Sequence, residues 1–175
     1  MPLHVAGRRR TTLDREFPDA LIVDVTSRGP EPWTRLSPFW PHGGIPVPGH
    51  PERTSQSVEG VWQALKVFAG EPEDFSKLDI TTMKGIKRTV RRLGAPLGHR
   101  WEGRLLGYEE ARRVLFVPTY RWMLEHRAAD LVAELRALSD RRVVVLLDYT
   151  TNGDITDLST PLSHAALLAQ CVRES

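Results

Sequence analysis

The chain has 175 residues, 24 Lys and Arg against 22 Asp and Glu, 41% hydrophobic residues and a single cysteine, Cys171. One cysteine excludes an internal disulfide framework, and no apolar run approaches the roughly 20 residues of a membrane span, so neither a stapled scaffold nor a membrane protein is expected. A chain of this length hides about 70% of its unfolded surface on folding, which supports one self-sufficient domain.

The N-terminus is basic at Arg8, Arg9 and Arg10, but the apolar stretch after it, Leu21 to Val25, is interrupted by Asp24. It is too short for a secretory signal, and a cytoplasmic location is the expectation. The same stretch reads as a strand, ended by Gly29, Pro30 and Pro32. From Ser37 to Pro51 five prolines and three glycines exclude helix and central strand alike. Phe39, Trp40, Ile45 and Val47 within it mark an ordered, pocket-lining loop rather than a linker.

From Ser57 to Phe68 apolar residues recur at 58, 61, 62, 65 and 68, the spacing of one helical face, with Ser55 or Ser57 as the cap. Glu59, Gln63 and Lys66 then form a polar line beside that face, with Glu59 at the helix start. Thr81 to Leu93 reads as a basic helix, Tyr108 to Arg113 as a short helix leading into a strand over Val114 to Val117, and Ala128 to Leu138 as an amphipathic helix. Val143 to Leu147 is the most apolar run and reads as a buried strand, followed by a polar turn region from Asp148 to Asp157. Leu162 to Val172 closes the chain as a helix with Pro161 suited to its start. These elements make an α+β protein, mostly helical, with a few short buried strands.

No Walker loop, GxGxxG, CxxC, HExxH or GxSxG occurs. The six histidines show no metal-ligand spacing, so neither metal nor cofactor is expected. Between Met83 and Arg113 cations exceed carboxylates by six, and on a helix Lys84, Lys87, Arg88, Arg91 and Arg92 would share one phosphate-attracting face. Its plain alternative is a solvated surface. Glu59, Asp148, Asn152, Asp154 and Asp157 fall at element ends, where cleft residues gather, though caps and turns use the same residue types. His164, between apolar neighbours, is either a structural or a catalytic histidine.

Two blocks carry a resemblance: Leu36-Ser-Pro-Phe-Trp-Pro41, and Ser57-Val-Glu-Gly-Val-Trp-Gln-Ala-Leu-Lys66. They resemble the NADAR superfamily (NAD and ADP-ribose associated, also called YbiA-like), where a Leu-Ser-Asn-Phe-(aromatic)-Pro segment precedes a helix reading Ser-x-Glu-His-x-x-Gln-Ala-x-Lys. Val145-Leu-Leu followed by Asn152 to Asp157 is similar to a later stretch of that family, with Asp157 in its acidic place. Two departures stand out. Gly60 replaces the histidine after the glutamate, and Thr160-Pro-Leu-Ser-His164 stands where the family has an Asp and a Trp-Gly. The whole chain also resembles a bacterial and phage family of unknown function that shares its SPFWPHGGIPVP, LLDY-TN and PLSHA blocks.

The resemblance implies one YbiA-like domain over residues 1–175. It implies hydrolysis of the N-glycosidic bond of a ribosylated base or an ADP-ribose-type nucleotide, with Glu59 as the carboxylate and Asp157 or His164 assisting. Lys66, Lys84, Lys87 and Arg88 would hold phosphates, and Trp40 or Trp62 would stack on the leaving base. Ser37, Phe39, Gln63 and Asn152 complete the binding set. The partner implied is a phosphorylated ribosyl or nucleotide small molecule, or an ADP-ribosylated nucleic acid. Two rivals are a nucleotide-binding module without turnover and a nucleic-acid-binding protein acting through a basic helix over residues 84–92.

Overall fold

The computed structural model describes residues 2–174. Its elements run β1 (Leu3–Gly7), α1 (Leu13–Glu16), β2 (Leu21–Asp24), a 3-10 turn (Trp33–Leu36), β3 (Ile45–Val47), β4 (His50–Ser55), α2 (Val58–Ala64), β5 (Lys66–Val67), a 3-10 helix (Phe75–Asp79) and a single turn, α3 (Val90–Leu93). Then follow β6 (Gly98–Trp101), β7 (Arg104–Leu106), α4 (Tyr108–Ala111), a π-helical segment (Arg112–Phe116), α5 (Val117–Arg127), α6 (Ala129–Arg141), β8 (Val144–Asp148) and α7 (His164–Glu174). The protein is α+β, and its contacts group into two compact units. One comprises the chain up to Ser37 and from Leu124 onward; the other is Pro38–Met123. Among the described residues no helix is long and apolar enough to cross a membrane.

The first unit is organised by β8, which pairs in parallel with β1 on one side and β2 on the other. A central parallel strand is covered on both faces, which is why Val144 to Leu147 is continuously apolar and every residue of β8 is buried. Val145 and Leu147 meet Ala6 and Leu13, with Phe17, Ala20 and Val143 packed around them. α7 packs against β1, β8 and α6. Burying each Val or Leu side chain stabilises by roughly 1.5–3 kcal/mol, so this strand contributes several kcal/mol to the unit. Its carboxyl end delivers Asp148 to a polar setting.

The second unit holds two small antiparallel sheets, β3–β4 and β5–β6–β7. In the latter Lys66 stands opposite His99, and His99 opposite Leu106. α2 buries Val58, Val61 and Ala64, with Leu65 just past its end, and packs on the 3-10 helix. The Ser57 hydroxyl accepts the Gly60 N–H at 2.9 Å, the capping the sequence suggests.

Four expectations are corrected. Residues 81–89 are not helical and only Val90–Leu93 makes a turn, so the basic residues from 84 to 92 share no helix face. Gly85 lies at φ 74°, Thr81, Thr82, Ile86 and Thr89 are β-branched, and Ile86 and Arg88 are buried, all of which favour an irregular path. The helix from Ser57 ends at Ala64, because Lys66 and Val67 leave it to pair with β6. Val114 to Val117 is helical, not a strand; a short apolar run does not distinguish the two. Its π-helical turn precedes Pro118, which has no N–H to give the preceding turn. α7 begins at His164, with the Ser163 hydroxyl rather than Pro161 organising its start. Strand β1, and the β3–β4 hairpin inside the Pro-rich loop, were not foreseen; Pro46 is exposed in a two-stranded sheet, where a missing donor is tolerated.

Gly60 shows how tightly α2 is seated. A Cβ there would lie 2.6 Å from Ser55 Oγ and 2.8 Å from the Lys77 carbonyl oxygen. Gly60→Ala is expected to lower stability by about 1–3 kcal/mol through overpacking. The check is a urea titration, which should show a lower midpoint at unchanged slope; an unchanged midpoint would mean that the 3-10 helix gives way freely.

Candidate functional site

The polar cluster of the second unit is built outward from α2. Ser57 fixes the helix start and so places Glu59 in the first turn, where the helix dipole favours a carboxylate. The Glu59 N–H, one of the orphan donors of that turn, donates to the Pro38 carbonyl at 2.8 Å. The side chain is 7% exposed, a costly place for a charge unless it is compensated. One turn on, Gln63 Nε2 donates to Glu59 Oε1 at 2.7 Å. The Gln63 carbonyl oxygen accepts the Arg88 N–H at 3.0 Å, which fixes the direction of the amide. Gln63 thus holds the carboxylate.

Arg88 is a strut rather than a ligand arm. Its Nη1 donates to the Lys66 carbonyl and its Nη2 to the Pro72 carbonyl at 3.0 Å, while its guanidinium lies 4.8 Å from the Phe68 ring centroid. Lys66 is buried with its ammonium 6.0 Å from the Trp62 ring centroid. Burial pushes the Lys66 ammonium below its ordinary range, Glu59 opposes that, and Lys87 and Arg88 add to it. Arg112 is buried too, and Tyr108 feels both Arg112 and Glu59: burial raises its phenol, Arg112 lowers it and Glu59 raises it, leaving it above its ordinary value. Buried cations therefore outnumber the one buried carboxylate of this unit. Such a setting draws anions.

His99 completes the cluster. It is fully buried, its ring centroid lies 3.8 Å from that of Trp62, and Tyr108 meets it edge-on at 5.8 Å. Burial and then the Lys66 charge hold its imidazole down to about 3, so the ring is neutral.

The other sequence candidates fall as follows. Lys84 is exposed, and the exposed Lys87 places its ammonium 5.3 Å from the Phe39 ring centroid. Trp40 is half-buried, 6.5 Å from the His42 ring. Trp62 has one face covered by His99 and meets Tyr108 and Phe116 edge-on. Ser37, Asn152, Asp157 and His164 belong to the first unit. Ser37 is buried after the Trp33–Leu36 turn, its N–H on the Thr34 carbonyl. Asn152 braces a loop: its Nδ2 donates to the Asp157 and Thr160 carbonyls and its Oδ1 accepts the Asp154 N–H. Asp157 is exposed, and its Oδ1 accepts from the Ser159 N–H and hydroxyl.

His164 belongs to a buried group at the carboxyl end of β8. Its Nδ1 lies 3.0 Å from Asp148 Oδ2, and its Nε2 lies 2.9 Å from the Val25 carbonyl, an acceptor, so Nε2 carries a hydrogen. The same Asp148 oxygen accepts from the Ser163 hydroxyl at 2.8 Å and the Ala165 N–H at 3.2 Å. Ser163 therefore bonds the carboxylate and not the imidazole, which is a brace between β8 and α7 rather than the relay of a serine nucleophile.

Sequence reasoning missed His99, Tyr108 and Arg112. For His99 a signal existed. Glu102-Gly103 is a two-residue turn joining β6 to β7, and recognising that hairpin places His99 across from Leu106, on the inward side. Arg112 carried none, since charge on a helix ordinarily faces solvent.

Residues 6–168 match the family described as "Family of unknown function (DUF6939)". No curated protein and no solved structure matches the chain.

Burial alone would push the Asp148 carboxyl up, but the bonds from His164, Ser163 and the Ala165 N–H outweigh it and hold the group below its ordinary 3.8. A carboxyl depressed on folding lends stability that is present above its unfolded value and is lost as pH falls through the folded one. Wild-type urea stability should therefore decline below about pH 4 through this group, and Asp148→Asn should flatten that part of the profile. At pH 7 the variant should be less stable by about 3 kcal/mol, the cost of leaving a buried partner uncompensated. Matching profiles for the two proteins would contradict the brace.

Proposed function

The chain belongs to the DUF6939 family of unknown function, and we propose that it is an N-glycosidase acting on a phosphorylated ribosyl base or an ADP-ribose-type nucleotide, with Glu59 as the working carboxylate. One observation carries the reading: a carboxylate is buried in the first turn of α2, oriented by Gln63, in a unit where buried cations outnumber it. The resemblance of the Ser57 to Lys66 block to the NADAR superfamily gives the same glutamate the same place, and with it we propose a YbiA-like fold and a cytoplasmic setting.

The chemistry follows from charge. As the C1′–N bond breaks, its electron pair leaves with the base and positive charge builds on the ribose carbon and ring oxygen. Glu59 stabilises that charge, and takes the proton of the water that attacks C1′. Glu59 passes that proton on to the departing base, which restores the carboxylate, so the overall reaction is hydrolysis. Lys66 supplies positive potential toward substrate phosphate. Trp40 is the better platform for the base, since His99 already covers one face of Trp62.

A second reading, a nucleotide-binding module without turnover, has an observation in its favour. The position that carries histidine in the NADAR pattern is Gly60, and the closeness of Ser55 Oγ and the Lys77 carbonyl leaves no room for a side chain there. Whatever that histidine contributes, this chain does without. The nucleic-acid reading loses its basis, because the basic helix face it required is not formed.

Glu59→Gln separates the two surviving readings. Base release should fall by about 10²–10⁴-fold, the usual weight of a carboxylate in proton transfer, while ligand affinity stays within a few-fold. Chromatography of released base, beside a thermal-shift titration of the same ligand, measures both. Unchanged turnover removes Glu59 from the mechanism.

A further inference from the structure

In the second unit His99 and the Thr119 hydroxyl are buried without a hydrogen-bond partner, and Lys66 lies beside His99. Neither ring nitrogen of His99 has a hydrogen-bond partner, although the residue is fully buried. The Trp62 carbonyl lies near enough to favour its charged form slightly, but no bond of proper geometry joins them. Among the described residues no hydrogen bond or salt bridge reaches the ammonium of Lys66, a residue 7% exposed overall. A buried polar group without a partner costs of order 1–3 kcal/mol, so His99, with an unpaired ammonium beside it, asks for a partner that meets both.

They are side by side. Lys66 and His99 are directly opposite in the β5–β6 ladder, and opposed residues of an antiparallel pair project from the same face. Trp62 agrees with this, since its ring lies against His99, tilted by 34°, and also lies near the lysine ammonium. We propose that Lys66 and His99 form one oxyanion site, in which a phosphate group of the ligand lies between the lysine ammonium and an imidazole N–H.

The chemistry of the pair selects the guest. Lysine has donors and no acceptor, and a neutral imidazole offers one donor and one acceptor. Lys87 and Arg88 act on Lys66 with the same sign, against the single carboxylate of Glu59, so a cation is repelled and a neutral base would leave the lysine charge unbalanced. An extended base is also excluded from the covered face of Trp62. A phosphate accepts from both donors at once. The approach is from the lysine side, where some exposure remains, and contact with His99 requires Trp62, which is half-buried, to tilt away from its stack. The inference deepens the proposed function by naming the substrate group held beside the ribose. It rests on that reading for the ribosyl part only.

The test is a titration of the full ¹⁵N-labelled chain with inorganic phosphate at constant ionic strength, following the histidine ring resonances; His99 is identified by the signal missing from His99→Phe. The pair predicts a saturable shift of that signal, weakened about tenfold or more by Lys66→Met, the scale of a charge-assisted hydrogen bond. His99→Phe should weaken phosphate binding about three- to tenfold, read by thermal shift, yet melt no lower than the wild type, because the ring it replaces had no partner. Should Lys66→Met fail to fold, Lys66→Gln carries the same comparison. An unmoved His99 signal, or phosphate affinity that both variants keep, overturns the proposal. So does a His99→Phe protein that melts several degrees lower and binds phosphate as before, since that outcome makes His99 a packing residue. Acetate binding as tightly as phosphate overturns the choice of phosphate. Phosphate binding by this pair in a chain that releases no base would leave the site and remove the glycosidase; base release indifferent to both variants would do the reverse.

Discussion

A carboxylate taken out of water is tolerated only where hydrogen bonds and opposite charge replace its hydration, and the second unit is arranged around that requirement at Glu59. Ser57 sets the helix start, the start sets the carboxylate in the first turn, and Gln63 meets it one turn later. Gln63 is itself held by the Arg88 N–H, and Arg88 is fixed through two carbonyls and the Phe68 ring. The chain of bonds runs from a buried charge to the path of residues 81–89. That segment cannot be helical while Arg88 serves as the strut, so the local fold follows from the compensation of one ion.

The first unit solves the same problem with different groups. There β8 carries Asp148 inward at its carboxyl end, and His164, Ser163 and the Ala165 N–H surround one oxygen of it. Every one of those partners comes from the start of α7, so the interaction ties strand to helix. The two carboxylates differ in what lies beside them. Asp148 is closed off by its own partners, whereas Glu59 shares its surroundings with a lysine ammonium and a histidine ring that have no hydrogen-bond partner. That contrast, rather than burial as such, marks the second cluster as the one with work left to do.

Much of the fold was legible because its signals were strong and local. The continuous apolar run of β8, the amphipathic spacing of α6 and the Ser57 cap of α2 each rest on periodicity or a single residue's chemistry. Where the sequence misled, a tertiary interaction decided. The charged spacing from Lys84 to Arg92 fits a helix, but burial of Ile86 and Arg88 overrides it. Val114 to Val117 has strand composition, yet it continues a helix that widens before Pro118. Of the site, Glu59 and Gln63 were legible from i, i+4 spacing. Lys66 was placed near them for the wrong reason, since it reaches the cluster from a strand. His99 was invisible without the β6–β7 hairpin, because alternation over four residues says little until the pairing is known.

The central claim is that the buried carboxylate serves cleavage of a bond between ribose and base. Its most direct test is base release by the purified chain from NAD, ADP-ribosylated guanosine and ribosylaminopyrimidine phosphates, each beside its dephosphorylated nucleoside, with the free base quantified by chromatography. The account predicts release from a phosphorylated member and far less from its nucleoside. Thermal stabilisation by a phosphorylated ligand with no base released from any of them would contradict it, and would make the protein a nucleotide-binding module.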